Sequence, residues 1–197
     1  MKRLNMRLWF TSSQRRTLEL AVYMLLLTAG CTEGTLCMLK SEENSVCRFC
    51  LAYGIPDVSA EGADQLLSSL RWSVGVMMLA VCLGFCGIGQ PFLALLLGFH
   101  GFGTGCVLAS LSQDITIHRL PLYALAAFYA VGVSYILLLG IREAMRFSCT
   151  YAHACLYGAD GTEMRSRLRL YCVRFAVLLV MLFISALLYV LLSGLFR

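Results

Sequence analysis

GFCGIGQPFLALLLGFHGFGTG, residues 84–105, is an apolar run broken once, at Gly87-Ile88-Gly89-Gln90-Pro91, and studded with glycine after the break. The run before the break, 72–88, and the run after it, 91–111, each come close to the roughly 20 apolar residues that carry a helix across a bilayer core. Pro91 cannot continue a preceding helix but suits the first turn of a new one, and the flanking glycines accept backbone angles that other residues resist. The stretch reads as two antiparallel membrane helices joined by a turn.

Working outward, the whole chain has the same character. Its 197 residues are 59% hydrophobic and only 14% charged, with a mean hydropathy of +0.77, far from soluble averages and in the direction of several membrane spans. An all-α, polytopic membrane protein of five helices is expected, with spans at 18–39, 72–88, 91–111, 120–141 and 170–192. The amino end, 1–17, carries Lys2, Arg3, Arg7, Arg15 and Arg16 with no acid before Glu19, which places it in the cytoplasm by the positive-inside rule. The largest extramembrane segment, 40–71, then lies outside and is mostly acidic, with Glu42, Glu43, Asp57, Glu61 and Asp64 against Lys40, Arg48 and Arg71.

A short outer connection, 112–119, carries Asp114, His118 and Arg119, and Pro121 opens the fourth span. Residues 142–169 return to the cytoplasm with Arg142, Glu143 and Arg146, a Gly158-Ala159-Asp160-Gly161 turn, and the cluster Arg165, Arg167 and Arg169. That cluster faces anionic headgroups, at about 1 kcal/mol per basic residue near the surface. The carboxyl end is outside.

The first span holds two features besides length. Gly30 and Gly34 form a small-x-x-x-small pair that lets a neighbouring helix approach closely. Thr28-Ala29-Gly30-Cys31 also resembles a lipobox with threonine in the usual leucine position, so processing at Cys31 stands as an alternative to an uncleaved anchor. The apolar character resumes at Leu36 to Leu39, which favours the anchor.

Candidate chemistry is sparse. Cys47-Arg48-Phe49-Cys50 is a C-x-x-C pair in the outer segment, open to a redox dithiol, half a zinc site, a structural disulfide or redox-sensitive tether, or unpaired thiols. Cys31 and Cys37 lie close to the same membrane face as this pair, so a structural disulfide is open to it in an oxidising compartment. Cys82, Cys86, Cys106 and Cys172 fall in apolar runs and read as packing residues. Glu33 and His100 are the intramembrane polar groups, at depths that differ by roughly 10 Å at 1.5 Å per residue. No H-E-x-x-H, nucleophile elbow or phosphate-binding glycine loop is present, so neither enzymatic activity nor a cofactor nor a metal is expected. In the third span Gly98, Gly101 and Gly105 fall on one face and leave a groove for helix contact.

The spacing of Gly84, Gly89, Pro91, Gly101 and Gly105, G-x4-G-x-P-x9-G-x3-G, resembles the stage II sporulation protein M family of bacterial membrane proteins. Gly30 and Gly34 in the first span, the polar outer segment and the Leu120-Pro121 entry extend the resemblance over most of the chain. His100 departs from it, standing where that family often has Lys or Arg, and the connection before Pro121 is shorter than usual.

The resemblance implies a non-catalytic scaffold of the bacterial cell membrane that positions peptidoglycan-degrading partners, the stage II sporulation proteins D and P, during forespore engulfment. Residues 41–69 would make the external contact. The expected partners are those proteins, membrane lipid and a second copy of the chain, and not nucleic acid. Two other classes compete: a permease subunit, with Glu33, Gln90 and His100 along a path between helices, and a thiol-redox protein using Cys47 and Cys50.

Overall fold

The computed structural model describes residues 12–40, 46, 47, 49, 50, 63–113, 120–157 and 161–195. Five helices run through them: α1 (Ser12–Lys40), α2 (Ala63–Gly84), α3 (Gln90–Gln113), α4 (Leu120–Tyr157) and α5 (Gly161–Leu195). Each contains a stretch long and apolar enough to cross a membrane, and no strand occurs among the described residues. This is the build of a multi-pass membrane protein.

The helices do not share burial equally. In α3, 56% of the apolar window is buried inside the protein, against 6% in α1, so α3 is central and α1 is applied to the outside of the bundle. The core lies between α2, α3, α4 and α5, where Met77, Leu93, Leu97, Leu137, Ile141 and Leu182 are fully buried. Lipid tails are as apolar as these side chains, so close fit rather than escape from water holds such a core together. Gly140 illustrates the fit: a Cβ there would stand 2.7 Å from Met77 Sδ. On α5 the exposed Val173, Val177, Val180, Ile184, Leu188 and Leu191 form a face suited to hydrocarbon.

The hairpin break differs in detail from the sequence expectation. α2 ends at Gly84 rather than 88, and residues 85–89 make the turn through bonds from Phe85 N to Cys82 O (3.2 Å), Cys86 N to Leu83 O (3.1 Å) and Gly89 N to Cys86 O (2.9 Å). These short i to i−3 bonds tighten and close a helix end. Gly89 O then accepts from Leu93 N at 2.9 Å, opening α3 with Pro91 in its first turn, where a missing N–H leaves no orphan. Gly87 and Gly89 keep φ outside the left-handed region. Glycine is needed at 89 because a Cβ would strike the Leu83 carbonyl oxygen and lie 3.0 Å from Cys86 O; close approach, not unusual φ, is the reason.

Ser148 of α4 fastens this turn, donating to Cys86 O at 2.6 Å from a fully buried position. Tyr171 of α5 donates to Val81 O at 3.2 Å, and its ring stacks on Phe147 with centroids 4.3 Å apart. Ser148→Ala removes one of the two donors to Cys86 O, Gly89 N remaining, and should lower unfolding stability in detergent by about 0.5–1.5 kcal/mol, read from a denaturant titration.

Residues 142–169, expected as a loop, are helical at 142–157 and 161–169. The segment 142–157 contains neither Gly nor Pro, and its alanines and long straight side chains favour helix whether or not lipid surrounds them. Ion pairs reinforce the end: Glu143 with Arg146 at 3.8 Å, Glu143 with Arg174, and Arg146 with Glu19 at 3.1 Å. Each pair is partly exposed, so each contributes at most about 1 kcal/mol; their use is to tie α1 and α5 to α4. Residues 1–11, most of 41–62, 114–119 and 158–160 lie outside the described residues, and with them the basic amino end, Asp114, His118 and Arg119, and the Gly158-Ala159-Asp160 turn.

Candidate functional site: a glycine seam ending in a thiol cluster

α1 and α3 run in the same direction and touch backbone to backbone. A Cβ at Gly30 would collide with the Gly98 carbonyl, one at Gly34 with the Phe102 carbonyl, one at Gly101 with the Leu27 carbonyl and one at Gly105 with the Cys31 carbonyl. The two small-residue rows therefore interlock, each glycine receiving an oxygen of the other helix. At such separation Cα–H groups point at carbonyls across the seam. Thr35 Oγ1 adds a bond to Gly105 O at 3.3 Å while also capping Cys31 O at 2.9 Å. Gly98 behaves differently from the other two glycines of its face: a Cβ there would meet nothing within 4 Å. Its carbonyl, not its missing side chain, is what the seam uses.

The seam ends in sulfur. Cys47 Sγ donates to Cys37 Sγ at 3.6 Å, Cys106 Sγ lies 3.9 Å from Cys47 Sγ, and Cys106 also donates to Gly34 O at 3.5 Å. Cys47 and Cys50 are each 1% exposed, packed with Cys106, Met38 and Phe102. Between these cysteines, Phe49 meets Trp72 of α2 edge-on at 6.0 Å, and Trp72 meets Phe99 of α3 at 5.9 Å. The C-x-x-C segment is thereby held by three helices at once. Burial pushes the Cys47 thiol up, with its bond to Cys37 adding to the shift, and burial followed by the neighbouring Cys47 pushes Cys50 up. A thiol kept protonated is a slow nucleophile, so these groups suit a bond that forms and stays better than rapid turnover.

His100 forms a separate buried polar group. Its Nε2 lies 3.1 Å from Ser134 Oγ, which is 3.3 Å from Thr104 Oγ1, and its Nδ1 has no hydrogen-bond partner. Glu33 is on the exposed side of α1, and Gln90 opens α3, about 15 Å below His100 at 1.5 Å per residue. The three polar groups of the permease reading do not converge. Among the described residues no group of three or more His, Cys, Asp or Glu is arranged to hold a metal ion.

Comparison with protein-family models, with curated proteins and with solved structures finds no match for this chain.

Cys31 and Cys37, the two cysteines of the first span, take different neighbours. Both are on α1, more than a turn and a half apart, and Cys31 lies against Gly105 while Cys37 meets Cys47. Gly84, picked out by its spacing, faces the Tyr171 hydroxyl, and its Cβ position lies 3.4 Å from Ala144 Cα. Cys106 was passed over as a packing residue. From the starts of their apolar runs Cys37 and Cys106 stand roughly 28 Å and 22 Å along their helices at 1.5 Å per residue, both in the outer half. Ser134, Ser148 and Tyr171 left no such trace, because their partners belong to other helices.

Proposed function

We propose that this chain is a non-catalytic membrane scaffold that presents an extracytoplasmic segment, residues 41–69, to partner proteins. The observation that carries the reading is the anchorage of Cys47, Phe49 and Cys50. The cysteines sit against α1 and α3, and Phe49 sits against α2, beside a backbone-to-backbone seam that leaves α1 little freedom to shift. A rigid mount of this kind is what positioning another protein requires.

The distribution of charge supports a bacterial cell membrane location with the amino end cytoplasmic. Arg142, Arg146, Arg165, Arg167 and Arg169 collect at one end of the bundle, and Asp64, in the first turn of α2, belongs to the other. The Gly84, Gly89, Pro91, Gly101, Gly105 spacing and its resemblance to the stage II sporulation protein M family support the finer reading. In it the partners are the peptidoglycan-degrading stage II sporulation proteins D and P, and the process is forespore engulfment.

The test is a crosslinking pull-down from membranes of the sporulating source cell, with a tag at the amino end. Recovery of peptidoglycan-degrading proteins, lost on Gly101→Leu, is the expected result. Recovery of an ATPase or a solute-binding protein in their place would replace the scaffold by a permease subunit.

A further inference from the structure

We propose that Cys37 and Cys47 form a disulfide clasp tying the 46–50 segment to the end of α1, with Cys106 of α3 as an alternative partner for Cys47, so that the C-x-x-C pair does not close on itself. Three elements deliver these sulfurs to one place: the last turns of α1, the turn that carries the buried Cys47, and the outer part of α3. The gaps of 3.6 Å and 3.9 Å exceed a disulfide bond length by less than about 2 Å, a difference that side-chain rotation covers. Cys50 packs in the same buried cluster, its Sγ 3.8 Å from the position a Cβ would take on Gly103, on the flank of α3.

Cys37 is only partly buried while Cys47 is almost wholly so, which orders the chemistry. The Cys37 thiolate attacks a disulfide carried by a thiol–disulfide oxidoreductase or by a small-molecule oxidant, expelling one thiolate and leaving a mixed disulfide on Cys37. The Cys47 sulfur then attacks Cys37 Sγ, expels the second thiolate and closes the clasp. Two thiols of the chain lose two electrons and two protons, and the oxidant disulfide becomes two thiols. If Cys106 attacks the closed clasp at Cys47 Sγ, Cys37 leaves as thiolate and the tie moves from α1 to α3 with no net oxidation. Because burial keeps Cys47 protonated above the usual thiol range, closure should accelerate as the pH rises through and beyond that range.

Trypsin separates the candidates, since Lys40 and Arg48 put Cys37, Cys47 and Cys50 on three different peptides. The full chain in its native membranes is treated with oxidised glutathione, blocked with N-ethylmaleimide, digested without reductant and mapped by mass spectrometry. The expected product is the Cys37 peptide joined to the Cys47 peptide, two hydrogens lighter than their sum. It should persist in Cys50→Ser and give way to a Cys47–Cys106 link in Cys37→Ser. A Cys47–Cys50 bond in the unaltered chain, or full maleimide labelling of Cys37 and Cys47 after oxidation, overturns the proposal. Cys50→Ser leaves the three clustered thiols in place, so loss of the cross-link in that variant overturns it too.

Discussion

Gly105→Leu is expected to pull α1 away from α3 and to lower unfolding stability by about 3 kcal/mol or more, at the upper end of overpacking costs. The clash is with the Cys31 carbonyl, and the next nearest atoms are Cys31 carbonyl carbon at 2.9 Å and Cα at 3.0 Å. All three are backbone, so no rotamer change relieves them and one helix must shift as a body. Gly34→Leu presses on the same seam from the other side, against Phe102 Cα at 3.0 Å. Once the helices have parted, the second substitution should cost little, so the double variant should fall well short of the sum.

Gly98→Ala supplies the contrast on the same helix. Its added methyl meets open space, and alanine is the better helix former by up to about 1 kcal/mol. Stability should stay level or rise. Titrating the variants with a denaturing detergent while following helix content reads all of them. Equal losses at positions 98 and 105 would show that the seam is not where the glycines act.

The second large effect is expected at the turn. Gly89→Ala drives a Cβ into the Leu83 carbonyl oxygen and toward Cys86 O. These oxygens already accept the bonds from Cys86 N and Gly89 N that end α2 and lead into α3, so the turn cannot open without losing them. A loss of about 2–3 kcal/mol follows from the strain and from the broken bonds together. Gly87→Ala, whose Cβ would stand 3.4 Å from Ala152, makes an ordinary contact and should be near neutral. The same titration separates the two, and equal behaviour would mean that the turn tolerates another path.

Helix number was legible in the sequence, because apolar length is a local property and a bilayer of fixed thickness converts it directly into a span. The start of α3 was legible too, since proline at 91 restricts its own backbone whatever surrounds it. Helix ends were not. Hydropathy reports where a chain leaves the membrane, whereas α4 and α5 remain helical past that point on propensity and ion pairing.

The spacings of Gly30 with Gly34 and of Gly101 with Gly105 marked two faces on which backbones can approach, but a spacing names no partner. That α1 meets α3, in parallel and in the register that sets Leu27 on Gly101 and Cys31 on Gly105, was decided by the tertiary structure, as was the silence of Gly98. The cysteines show the same division. C-x-x-C is a pattern of neighbours in sequence, and it pointed inward to itself. Cys37, Cys47 and Cys106 are brought within reach of one another only when three separate elements pack, because a thiol's partner is set by distance in space rather than by position along the chain.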